Sequence, residues 1–107
     1  MKHDCVVVWT TVARSANCRE MASILVNERL AACVNVLAEM ESIYRWKGQV
    51  ETDYERQLIM KTTAERVPAL RDRVLALHDY DVPEFIVTPI VGGSDAYLDW
   101  IRQSTAG

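Results

Sequence analysis

Two consecutive runs, Ala32 to Trp46 and Gln49 to Thr62, read as a pair of unusually long strands joined at Lys47-Gly48. Gly48 supplies the positive φ that a tight hairpin turn needs. In the second run Val50, Tyr54, Leu58 and Met60 fall on one face, and Glu51, Asp53, Glu55 and Gln57 fall on the other. The first run loses its alternation at Ala38-Glu39-Met40, which predicts a bulge or bend there. About 14 residues at ~3.3 Å each would reach ~46 Å, whereas a compact domain of this size has a radius of gyration of only ~13 Å. Such a hairpin either projects beyond its own core or folds back at the bend. A projecting hairpin exposes backbone donors and acceptors along its edges, and natural proteins cover such edges. A neighbouring subunit is the simplest cover, and Tyr44, Trp46 and Tyr54 are amphipathic enough to sit in that contact. The hairpin therefore predicts an oligomer.

The flanking segments complete a small α+β fold. Cys5 to Thr11 is apolar and β-branched and reads as a buried strand. Cys18, Met21, Ala22, Leu25, Val26 and Leu30 share one helical face, so a first helix runs from about Ser15 to Arg29. Asn17 with Glu20 offers a capping box, and Ser15 is the alternative cap half a turn earlier. Pro68 suits the first turn of a second helix with Leu70, Val74 and Leu77 on its apolar side. Pro83 leads into a strand from Phe85 to Val91, which Pro89 confines to an edge or a strand end. Gly92-Gly93 breaks the chain, Ser94 caps, and Tyr97, Leu98 and Ile101 face one side of a short last helix. The order β-α-β-β-α-β plus one helix predicts the ferredoxin-like sandwich, one antiparallel sheet with helices on one face, formed by residues 1–107 as a single domain. That fold hosts many unrelated functions.

Composition then narrows the partners. A net charge of −3 argues against nucleic acid, whose binding faces carry a basic excess. No run approaches the ~20 apolar residues of a membrane span. Met1 to Asp4 is too short and polar to open a secretory signal, so a cytoplasmic protein is expected. Three cysteines without a Cys-x-x-Cys pair indicate neither a disulfide scaffold nor a structural zinc site, and Cys5 and Cys18 read as packing residues.

Few residues are candidates for chemistry. His78 is the only histidine besides His3 of the N-terminal tail, and it ends the second helix. A cation there is favoured by the helix dipole, while a neutral imidazole is a ligand for copper or zinc. Glu84, six residues on, can add a carboxylate, and Cys33 either adds a thiolate or packs in the core. Lys61, at the end of an apolar strand, can pair with a carboxylate such as Glu84 or receive an anionic ligand. Trp9 and Trp46 read as core or interface residues, and Arg71 and Arg73 with Glu65 and Asp72 as a solvated helix face. No motif assembles a nucleophile: there is no G-x-S-x-G and no P-loop. An acylphosphatase-like site would set Arg14 against Asn35, but Thr10 to Ala16 contains no glycine to cradle a phosphate. A non-enzymatic binding protein is expected.

Four stretches point further: Leu30-Ala31-Ala32-Cys33-Val34-Asn35, Ser42-Ile43-Tyr44-Arg45-Trp46-Lys47-Gly48, Leu58-Ile59-Met60-Lys61-Thr62 and His78-Asp79-Tyr80-Asp81-Val82-Pro83-Glu84. Their order and spacing resemble the CutA family of divalent-cation tolerance proteins, from Val6 to Ile101. The resemblance implies a homotrimer with sheets extended across subunits, similar in architecture to the PII signalling trimers. Where copper binding is described in that family, a thiol ends the first strand and imidazoles precede the tyrosine of the His-x-Tyr stretch. The matching positions here are Thr10, Leu77 and His78, with Asp79 where many members carry proline. The resemblance thus implies metal tolerance or homeostasis with weak binding of Cu2+ or Zn2+ and no organic cofactor. The metal residues are then His78, Glu84 and Cys33, and Lys61, Tyr80, Trp46 and Glu55 line an intersubunit cleft. The alternative is a small-molecule sensor that docks an anionic metabolite in that cleft, or a structural platform for a partner protein.

Overall fold

In the computed structural model, which describes residues 4–107, strand β1 spans Cys5–Ala13. His3 and the polar start of the chain lie outside the described residues. Alternation along β1 turns Val6, Val8, Thr10 and Val12 inward, where all four are buried. Helix α1, Cys18–Asn27, starts at the first residue of its apolar face rather than near Ser15, because Asn17 is the cap: its Oδ1 accepts the backbone N–H of Glu20 at 3.0 Å. Arg29, at φ 60°, then turns the chain into strand β2, Cys33–Trp46.

Strand β3, Gln49–Thr63, returns along β2 through Lys47 and Gly48, both at positive φ (50° and 79°). That pair of left-handed residues matches the twist of a two-residue hairpin. The expected irregularity lies between Val36 and Glu39, where β2 carries one extra residue. Arg56 Nε donates to the Leu37 carbonyl at 2.9 Å and satisfies the bulged backbone. Pairing then resumes from Glu39 opposite Arg56 to Trp46 opposite Gln49. The bulge does not fold the tip onto the core. The protein is 44 Å long against 26 and 24 Å across, and near the tip Ile43 and Val50 are 67% and 64% exposed.

A 3₁₀ turn, Ala64–Arg66, leads into helix α2, Val67–Leu77, with Pro68 in its first turn and Leu70 and Val74 buried. Arg73 is not merely solvated: its Nε and Nη2 hold the Glu28 carboxylate, each at 2.9 Å, and tie α2 to α1. That guanidinium holds the Glu28 carboxyl below the usual range. Strand β4, Ile86–Pro89, is shorter than the apolar run predicted, and it pairs with β1 only from Trp9 to Val6. Pro89 lacks an N–H, so it suits the end of this edge strand. Ser94 caps helix α3, Asp95–Thr105, by accepting the Tyr97 N–H at 3.3 Å.

The sheet order is β2-β3-β1-β4, antiparallel throughout, which is the ferredoxin-like arrangement. Its main core joins Val6, Val8, Leu25, Leu58, Met60 and Leu70 between the sheet and helices α1 and α2. Each such side chain contributes ~1.5–3 kcal/mol on burial. A smaller cluster of Cys5, Ala32 and Ile101 seats α3. Tyr97 departs from the expected inward face and instead stacks on Trp100 at 5.3 Å, on the exposed side.

Candidate functional site

The sheet face opposite α1 and α2 carries the site. Because partners in an antiparallel pair share a face, Thr11 on β1 stands beside Gln57 on β3. The bulge in β2 brings Met40, Ser42, Tyr44 and Trp46 onto this same face, opposite Glu55, Asp53, Glu51 and Gln49. The loop after α2, from Tyr80 to Glu84, closes the far side. Together they enclose a cleft of about 650 Å³.

Hydrogen bonds fasten that loop to the sheet. Thr10 Oγ1, fully buried, donates to the Glu84 carbonyl at 2.6 Å. Gln57 Nε2 donates to the Thr10 carbonyl at 2.7 Å and to Glu84 Oε2 at 3.0 Å. The Tyr80 hydroxyl donates to Glu55 Oε2 at 2.9 Å, and the Tyr44 hydroxyl donates to Asp53 Oδ2. Bonding to a carboxylate favours the protonated phenol. The Asp53 carboxylate accordingly pushes Tyr44 up to about 12. Burial, and then the bond to Glu55, raise Tyr80 well above the usual phenol range.

The charge is one-sided. Asp53, Glu55, Asp81 and Glu84 line the cleft, and among the described residues no lysine, arginine or histidine does. An arrangement of this kind attracts cations and repels anions.

Four residues singled out from sequence meet here: Glu84, Glu55, Tyr80 and Trp46. His78 sits behind the loop, with both ring nitrogens engaged. Its Nδ1 accepts the Tyr80 N–H at 3.1 Å, which leaves Nε2–H to donate to the Thr11 carbonyl at 2.6 Å. That is the bonding of a neutral imidazole holding the loop, not of a cation on the last carbonyls of α2. Cys33 and Lys61 lie elsewhere, as a cross-strand pair. Lys61 is six residues beyond Glu55 along β3, ~20 Å at ~3.3 Å per residue, and it donates to Asn35 rather than to Glu84. Arg14 contacts Glu39 at 3.7 Å and covers the Tyr54 ring at 5.3 Å, so it does not face Asn35. Thr10, at the position matched to the family's thiol, spends its hydroxyl on Glu84.

Among the described residues no three His, Cys, Asp or Glu side chains gather closely enough to hold a metal ion. The oxygen donors of the cleft fit a loosely held divalent cation, since carboxylate and carbonyl oxygens suit hard ions. Among the described residues Cys33 and His78 have different neighbours: Cys33 stands opposite Lys61, and His78 bonds Thr11 and Tyr80. Sequence reasoning missed Asp53, Asp81, Tyr44 and Gln57 as cleft residues. The alternation of Asp53, Glu55 and Gln57 was the available signal. The docking of the loop from Tyr80 to Glu84 had none.

The family model for the CutA1 divalent ion tolerance protein matches residues 6–104. The chain is 50% identical over 99 residues to the divalent-cation tolerance protein CutA of Thermus thermophilus, covering 92% of this chain and 96% of that protein. It is 46% identical over 100 residues to the chloroplastic protein CutA of Arabidopsis thaliana, covering 94% of this chain but 55% of that one. Among solved structures, the Thermus thermophilus divalent cation tolerance protein superposes with a TM-score of 0.91 at 48% identity, over 95% of this chain and 99% of that chain. CutA from Xylella fastidiosa gives 0.92 at 39% identity, over 96% and 99%.

Proposed function

This chain belongs to the CutA1 divalent ion tolerance family, and from that premise we propose that it is a homotrimer binding divalent cations weakly at the carboxylate-lined cleft. The observation that carries the reading is the charge of that cleft: four carboxylates line it and, among the described residues, no cationic side chain does. An anionic metabolite would meet the same four carboxylates, which disfavours the sensor alternative. Glu84 and its neighbours supply oxygen ligands. His78 joins for copper or zinc by giving up its bond from the Tyr80 N–H, and Cys33 contributes only from another subunit. Binding that must first break a native hydrogen bond is weak.

The trimer is supported by the projecting hairpin, whose outer strand β2 is an uncovered edge and whose flanks expose Ile43, Val50 and Tyr54. The protein acts by binding rather than by catalysis, in metal tolerance or homeostasis. Its three free cysteines suit a reducing compartment, and we place it in the cytoplasm.

Sedimentation and calorimetric titration with zinc, copper and calcium test the whole reading. One species of three chains is expected at micromolar concentration. Glu84→Gln should weaken binding of every ion, whereas His78→Ala should remove only the preference for copper and zinc over calcium. A stable monomer, or no heat at millimolar zinc or copper, refutes it.

A further inference from the structure

We draw no further inference here: the strongest candidate, the exposed apolar face of the projecting hairpin formed by Ile43, Val50 and Tyr54, belongs to the subunit contact already proposed, and nothing in the structure shows what else covers it.

Discussion

Tyr80→Phe deletes one oxygen from the loop that closes the cleft, and the cost can be worked from what that oxygen does. Its hydroxyl donates to Glu55 Oε2 at 2.9 Å, and Glu55 is 8% exposed. Hydrogen bonds to charged groups contribute ~1.5–3 kcal/mol. The upper end applies where the orphaned charge is sealed from water. Here Glu55 is among the residues that line the cleft, so water can partly replace the phenol and the lower end applies, ~1.5 kcal/mol or about a tenfold shift in the folding equilibrium. The comparison is Tyr44→Phe, which removes the same kind of bond to Asp53 on the exposed hairpin. Water solvates Asp53 freely there, so the loss should be much smaller. Urea denaturation of wild type and both variants, at one fixed protein concentration, reads the difference, because assembly makes stability concentration-dependent. Adding Glu55→Gln to Tyr80→Phe removes the stranded charge and should recover part of the loss. Equal destabilisation by the two phenylalanine variants, or no recovery in the double variant, would refute the claim that Tyr80 compensates a buried carboxylate.

The same two phenols set an alkaline limit. Tyr44 is pushed up to about 12, and Tyr80 is raised too, so each ionises at higher pH folded than unfolded. Their neutral forms therefore contribute stability that is complete below pH ~10, the unfolded phenol value, and is lost as the pH climbs to about 12 for Tyr44. Denaturation midpoints measured across that window should fall more steeply for wild type than for a Tyr44→Phe, Tyr80→Phe double variant, and parallel curves would count against it. Trp46→Ala should dissociate the proposed trimer more readily than Trp100→Ala. The two indoles are almost equally exposed in one chain, 39% and 42%, so a difference in sedimentation reports the hairpin contact, where a lost aromatic anchor costs ~2 kcal/mol or more. Matching dissociation profiles would move the contact elsewhere.

The elements and their order could be read from local chemistry alone. Val6, Val8, Leu58 and Met60 alternate as a buried sheet face must, Asn17 caps where its side chain reaches Glu20, and Gly48 turns the hairpin. Periodicity, capping and turn chemistry act over a few residues, so they are written in the order of the chain. Small departures followed from neighbours that local patterns do not see. β4 pairs with β1 over only four residues, and Tyr97 found Trp100. The candidate site divides along the same line. His78, Glu84, Glu55, Tyr80 and Trp46 could be named from their stretches, but their roles depend on contacts between residues distant in the chain. The hydroxyl of Thr10 meets the carbonyl of Glu84, and His78 bonds the carbonyl of Thr11. The bulge at Val36 to Glu39 shifts the alternation of β2 by one residue and carries Tyr44 and Trp46 onto the face with Asp53 and Glu55. Register across strands and the docking of a loop arise from packing at long sequence separation, and so the one-sided charge of the cleft, unlike the strands that bear it, existed only once the chain had closed on itself.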